Sequence, residues 1–153
     1  MKHAALFAWI GVLMALSVSA QPDRKTYAQQ LVDEILAKHP EVVILAMHVK
    51  SPSDPEYPII ASNIGRIGKK ADEDDMRVIN TGKPNLEVNE AGNHFEVELT
   101  LQDASRKTIG ALGVVFNYKP GDDKAAFQKK AEQVRDELRA RIPVEKKLFD
   151  PAK

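Results

Sequence analysis

The sequence of 153 residues predicts an α+β domain, in which a five-stranded antiparallel sheet carries helices mainly on one face. Three observations lead to this prediction. A segment with one apolar face at helical spacing stands near each end of the domain, and strand-like segments lie between them. The clearest strand is 94–101, where apolar and polar residues alternate. A polar segment with the signature of a short helix separates the second strand from the third.

The first half of the domain is predicted to contain one helix and two strands. A helix is expected over 24–38, where apolar residues recur every three or four positions, and Pro40 ends it. The segment 41–50 is apolar on both faces of a strand, which predicts a central strand. Turn-forming residues at 51–55 lead to a second strand over 57–62.

Residues 63–84 differ in texture from the strands on either side, because they contain glycines, a basic cluster and an acidic cluster. Asp72 and Asp75 have the spacing of an N-cap and a first-turn acid, which predicts a short helix ending near Gly82. The string 65–70 lacks the glycine spacing of a phosphate-binding loop. It is either a solvated turn or a cationic wall for an anionic ligand, because the guanidinium of Arg66 can donate two hydrogen bonds to one carboxylate.

The second half of the domain is predicted to contain three strands and a helix. The strands are expected over 86–90, 94–101 and 108–118, the last two joined as a hairpin. A helix with a core-facing stripe is expected over about 122–142. Pro143 stops this helix, and the tail that follows is expected to fray.

The first twenty residues have the three-part layout of a secretory signal peptide. Lys2 and His3 precede an uncharged apolar stretch. Small residues follow at Val18 and Ala20, which are the positions that a signal peptidase recognises. The stretch is shorter than the ~20 residues that usually span a membrane, although an uncleaved anchor is the alternative.

Cleavage after this signal leaves one domain, at 21–153, with an ordered core expected over about 24–142. This form has no membrane span and is expected in the periplasm or outside the cell.

The composition excludes several classes of function. The chain has 22 basic and 22 acidic residues and no net charge, which argues against a non-specific nucleic-acid binder. It has no cysteine, and so no disulfide, thiol nucleophile or zinc–thiolate site. The histidines after the signal lie on different elements without a ligand spacing. We therefore predict no catalytic residue, no metal and no cofactor.

The best candidate for chemistry is the polar face of the alternating strand, formed by His94, Glu96, Glu98 and Thr100. This face is either open to water or covered by residues 63–84, in which case a polar pocket lies between them. A His94–Glu96 acid–base pair on this face would support a small isomerase or dehydratase, which is an alternative function.

Two strings resemble a known family. Residues 102–116 look like the last hairpin of the extracytoplasmic Cache domains, which are PAS-like sensors, and 80–84 resembles the turn before their third strand. The resemblance implies a small ligand between the sheet and the segment joining strands two and three. The ligand-binding residues carried over on this basis are Asn63, Arg66, Arg77, Asn80, His94, Glu96, Glu98 and Asn117. The aspartate that grips a ligand amine in the family is missing, since Val115 and Asn117 occupy its neighbourhood.

The function expected from the sequence is an exported, stand-alone sensory module that binds a small molecule. Arg66 and Arg77 are expected to hold a carboxylate group of that molecule. The partner that receives the signal would be a membrane receptor or another protein, and no nucleic acid is involved. The main alternative is a ligand-free interaction or scaffold protein of the same fold, ahead of the small enzyme.

Overall fold

A computed structural model describes residues 24–153 of the chain. The predicted signal peptide and its cleavage point lie outside the described residues. Within residues 24–153, no helix has the length and apolar character needed to cross a membrane.

The described residues form three α-helices, five strands and a final 3₁₀-helix. In chain order they are α1 (Tyr27–Lys38), β1 (Val42–Val49), β2 (Ile59–Ser62), α2 (Glu73–Thr81), β3 (Asn85–Val88), β4 (His94–Gln102), β5 (Thr108–Asn117), α3 (Lys124–Arg141) and the 3₁₀-helix (Glu145–Phe149). The predicted order of elements is confirmed, and most ends shift by one or two residues. Such shifts are expected, because helix and strand ends are the least sharply encoded part of a sequence.

The five strands make one antiparallel sheet in the order β2-β1-β5-β4-β3. The three longest strands, β1, β5 and β4, therefore lie at its centre. This position explains why the predicted first strand is apolar on both faces, because a central strand meets packed material above and below. The prediction of a five-stranded antiparallel α+β domain is confirmed.

The main hydrophobic core lies between one face of the sheet and helices α1 and α3. On β4, the alternate residues Phe95, Val97 and Leu99 point into this core, and each is at most 1% exposed. Helix α1 packs over β1 and β2, whereas α3 packs over β4 and β5. The N- and C-terminal helices thus share one face, as predicted.

Helix α2 packs on the opposite face of β4 and β5. Its start is fixed by a capping box, in which Asp72 accepts the backbone N–H of Asp75 and the Asp75 side chain accepts the N–H of Asp72. Gly82 ends the helix in the left-handed conformation, with φ of 71°. The polar face of β4 is therefore covered by residues 63–84 and not open to water.

The expectation that the tail frays after Pro143 is wrong. Residues 145–149 form the 3₁₀-helix, and Leu148 in it is completely buried in the main core. The segment is also tied to the start of α1, since Tyr27 donates its backbone N–H to the carbonyl of Asp150 at 2.8 Å. The ordered core consequently extends beyond the predicted end at 142.

Candidate functional site

A cavity of about 150 Å³ lies between the central strands and residues 63–84. Its walls come from β1, β2, β4, β5, the first turn of α2 and the loop before that helix. The lining residues are Ile44, Ala46, His48, Ile59, Ile64, Arg66, Lys69, Asp72, Asp75, Glu96, Glu98, Gly113 and Val115. The cavity occupies the place where the sequence predicts a polar pocket.

The strand register brings the polar residues of β4 into this cavity. Glu98 pairs with Gly113 of β5, and Gly113 in turn pairs with Ala46 of β1. A Cβ atom at position 113 would lie only 3.0 Å from the Oε1 atom of Glu96. The absence of a side chain at Gly113 therefore makes room for the carboxylate of Glu96.

The two glutamates on β4 have pKa values above the ordinary range. Burial raises the pKa of Glu98 from 4.5 to about 8, and the negative charges of Asp75 and Glu96 add to this effect. Asn85 partly opposes the shift, since its Nδ2 donates to Oε2 of Glu98 at 3.0 Å. Burial also raises the pKa of Glu96, followed by the charges of Asp75 and Glu87. The sheet wall therefore favours protons or other cations.

Asp75 and His48 also line the cavity and lie next to each other. Asp75 is 4% exposed, and burial raises its pKa, although the nearby imidazole of His48 opposes the shift. The Nε2 atom of His48 lies 3.5 Å from Oδ2 of Asp75. On the other side of the ring, Nδ1 lies 2.9 Å from the carbonyl oxygen of Tyr57. The imidazole is thus held in one orientation by the backbone.

Asp72 adds a carboxylate at the N-terminus of α2. Burial opposes its ionisation, but backbone N–H groups of Asp75 and Asp74, together with Lys69, hold its pKa below the ordinary value. One carboxylate oxygen from each of Asp72, Asp75 and Glu98 lies within 4.8 Å of the others. Three acidic groups therefore converge on one small volume.

Positive charge is confined to the rim of the cavity. Arg66 and Lys69 are exposed, and the Nζ atom of Lys69 lies 3.7 Å from Oδ2 of Asp72. Within residues 24–153, Arg66 has no carboxylate within 4.0 Å, so its guanidinium is open to a ligand at the rim. The site thus has an acidic interior and a basic edge.

Three of the eight predicted ligand-binding residues line the cavity, namely Arg66, Glu96 and Glu98. His94 lies beside it, in a groove that also contains Arg66 and Glu96. Among the described residues, no carboxylate lies within 4.0 Å of the His94 imidazole, so the geometry of a His94–Glu96 acid–base pair is not formed.

The other four predicted residues lie away from the cavity. Asn63 extends the pairing of β1, because its side chain bonds the N–H of Leu45 and the carbonyl of Val43. Arg77 is engaged by Asp74 at 2.7 Å and by Asn85 at 2.9 Å. The last two, Asn80 and Asn117, are exposed.

Sequence reasoning missed His48, Lys69, Asp72 and Asp75 as residues of the site. A histidine in an apolar strand usually has a structural hydrogen bond, and Asp72 has the spacing of a helix cap, and both residues have these structural contacts. The available signal was that His48 shares a strand face with Ile44 and Ala46. This face meets the polar residues of β4 only once β5 is placed between the two strands.

Comparison with solved structures reveals distant similarity to regulatory domains. The chain is similar to the GAF domain of nlh2 from A. aeolicus in an inactive state, with a TM-score of 0.58 and 12% identity over 75% of this chain and 83% of that one. It is also similar to the repressor BlcR of Agobacterium tumefaciens, with a TM-score of 0.51 and 10% identity over 82% and 68% of the two chains.

A light-oxygen-voltage domain is more distant, with a TM-score of 0.38 and 17% identity over 65% of this chain and 93% of that one. No family model matches the sequence, and no curated protein matches it either.

At these identities the likeness shows the fold alone, which is α+β and similar to that of the GAF domain. Membership of the extracytoplasmic Cache family, which the two sequence strings suggest, stays a prediction.

Proposed function

We propose that the protein is an exported sensory domain that binds a small ligand in the cavity between α2 and the sheet. The observation that carries this proposal is the cavity itself. Its interior has three carboxyl groups with raised pKa values, one on α2 and two on β4, which is the usual composition of a ligand site. A domain that served only as a scaffold would gain stability by filling this space with apolar side chains.

The size of the cavity limits the ligand to a small molecule or ion. At about 150 Å³, it matches the volume of cavities that accommodate one benzene molecule. A ligand of about six non-hydrogen atoms therefore fits without movement of the walls.

The charges of the cavity revise the expected ligand chemistry. A carboxylate held by both arginines is not supported, because Arg77 is engaged outside the cavity. The interior presents Asp75, Glu96 and Glu98, which favour a positive charge or hydrogen-bond donors. Any anionic group of the ligand would have to face Arg66 at the rim. We therefore propose a ligand that is cationic on the side facing the sheet.

The proposed signal passes to a partner, either a membrane receptor or another protein. Residues 63–84 cover the ligand and also form an outer surface of the domain. A ligand that binds to both this segment and the sheet stabilises the covered form, and a partner that recognises the same segment would sense occupancy.

Glu96→Gln is expected to weaken at least tenfold the affinity for any organic ligand that raises the melting temperature of the purified protein. The reason is that Glu96 lines the cavity. The substitution keeps the shape of its side chain but removes the negative charge. Native mass spectrometry and a thermal-shift panel of small amines, amino acids and organic acids, run in EDTA, provide the measurement. Glu73→Gln, at an exposed position on α2 outside the cavity, is the matched control and should bind normally. If no compound binds, or if both variants bind equally well, the proposed site is wrong.

The exported form is expected to show tyrosine-type fluorescence only. The chain has one tryptophan, Trp9, which lies in the predicted signal, and all three tyrosines lie after it. Emission spectra of protein recovered from the periplasm or the medium, together with its intact mass, check the cleavage. Tryptophan emission from the exported protein would show that the first twenty residues are retained.

A further inference from the structure

His48 presents a nitrogen to the cavity without a hydrogen-bond partner. A carbonyl oxygen only accepts, so the Nδ1 atom that lies 2.9 Å from the Tyr57 oxygen must carry a proton. In the neutral ring, Nε2 then carries a lone pair. This lone pair is directed towards the cavity in a residue that is only 6% exposed.

The neighbour of this nitrogen is an acceptor as well. Oδ2 of Asp75 lies 3.5 Å away, and the two atoms form no hydrogen bond. Two groups with lone pairs facing each other in the protein interior repel, unless a cation lies between them. That cation is a proton, carried by the imidazole or by the Asp75 carboxyl, or a metal ion.

Further negative charge lies at the same place. Oxygens of Asp72, Asp75 and Glu98 all lie within 4.8 Å of one another, and Asp75 and Glu98 are at least nine-tenths buried. Without a metal ion, more than one of these carboxylates would have to take up a proton to relieve their mutual repulsion. The nearest side-chain cation, Lys69, contacts Asp72 from the exposed rim. A divalent ion compensates the charge more fully.

We propose that the cavity binds one divalent metal ion through Nε2 of His48 and carboxylate oxygens of Asp75, Glu98 and Asp72. The spacing of His48 and Asp75 suits two such ligands, because two ligand atoms on a tetrahedral shell with bonds of about 2.1 Å lie about 3.4 Å apart. His48 and Asp75 are separated by 3.5 Å. The pairing of an imidazole with carboxylates favours Zn²⁺ over Mg²⁺ or Ca²⁺, which prefer oxygen alone.

Each of the buried ligands is oriented by a contact behind it. The Tyr57 carbonyl holds His48, Asn85 donates to Glu98, and the backbone N–H of Asp72 donates to Asp75 at 3.0 Å. Outer contacts of this kind fix the tautomer and direction of ligands in metal sites. The proposal rests on the proposed function only in using the same cavity, and it requires neither export nor signalling.

The test is calorimetric titration of the purified, untagged and EDTA-treated protein with ZnCl₂, followed by MnCl₂, CaCl₂ and MgCl₂. We expect one Zn²⁺ per chain and a rise in melting temperature. His48→Gln and Glu98→Gln should each weaken Zn²⁺ binding at least tenfold. His39→Gln, at the end of α1 and outside the cavity, also removes an imidazole and should leave binding unchanged. Absorption by bound Co²⁺ between 500 and 700 nm, lost in His48→Gln, would show the nitrogen ligand directly.

Three outcomes would overturn the proposal. The protein binds no Zn²⁺, it binds Zn²⁺ equally well after His48→Gln, or it binds only Ca²⁺ or Mg²⁺. Loss of Zn²⁺ binding in Glu98→Gln would not be caused by unfolding. This variant removes a buried carboxylate and should leave the metal-free protein folded, which circular dichroism checks. If Zn²⁺ fails but an amine binds in a Glu96-dependent way, this inference is wrong and the proposed function stands. If nothing binds, both are wrong.

Discussion

Replacing Leu148 by alanine is expected to lower the free energy of unfolding by about 3 kcal/mol. Leu148 is completely buried, although it belongs to a short 3₁₀-helix near the end of the chain. Its side chain lies in the same core as residues of α1 and α3, so the substitution leaves a cavity between layers of the fold. Urea unfolding followed by circular dichroism measures the loss.

The matched control is Leu86→Ala, which removes the same atoms from an exposed position on β3. Leu86 is 44% exposed, and its substitution should cost less than about 1 kcal/mol. Equal losses in the two variants would contradict the packing of the tail. A second measured quantity is the slope of the urea transition. It should be the same in the variant and the wild type if the tail and the rest of the domain unfold as one unit.

The tail could not be predicted from the sequence for a physical reason. Pro143 ends α3, and the charged residues after it resemble a solvated terminus. A single turn of 3₁₀-helix has no periodicity to detect, and one leucine among lysines carries little weight. The burial of Leu148 depends on a distant contact, because the tail pairs with the chain just before α1 through the bridge between Thr26 and Pro151.

Much of the fold is encoded locally and was predictable. The alternation along β4 separates Phe95 and Val97, in the main core, from Glu96 and Glu98, in the cavity. The spacing of Asp72 and Asp75 indicated the start of α2, where the structure has a capping box. These signals involve residues a few positions apart, so no knowledge of the tertiary structure is needed to detect them.

The candidate site was only partly predictable, because its composition depends on pairing and rotation. His48 and Glu98 line the same cavity although β5 lies between their strands, and that arrangement follows from the strand order rather than from any local pattern. On α2, Asp75 and Val78 face the sheet, whereas Arg77 and Asn80 face solvent. A helix turns about 100° per residue, so residues two positions apart lie about 200° apart, on opposite sides. Until it is known which side of α2 faces the sheet, Arg77 and Asp75 are equally plausible as residues of the site.

Glu98→Gln is expected to make the metal-free protein more stable at neutral pH and to flatten the dependence of its stability on pH. Burial and nearby acids raise the pKa of Glu98 from 4.5 to about 8 in the folded protein. The folded state thus holds this proton more tightly than the unfolded state. The resulting stability is complete below about pH 4.5 and is lost progressively as the pH rises towards 8.

The size of this effect follows from the same shift. Glu98 is only 8% exposed, so solvent screens it little. Between pH 4.5 and pH 7, the wild-type protein should lose on the order of 3 kcal/mol through this one group. Glutamine cannot ionise, so the variant avoids this loss and still has an amide oxygen that can accept from Asn85. The raised pKa values of Asp75 and Glu96 act in the same direction in both proteins, so the variant should still have a residual slope.

The measurement is urea unfolding in EDTA at several pH values between 4.5 and 8. Glu90→Gln, which removes the same charge from an exposed position, should follow the wild-type curve. Parallel curves for Glu98→Gln and the wild type would show that Glu98 ionises normally in the folded protein. In that case the cavity interior is well hydrated, and the acidic wall would attract cations much less strongly than proposed.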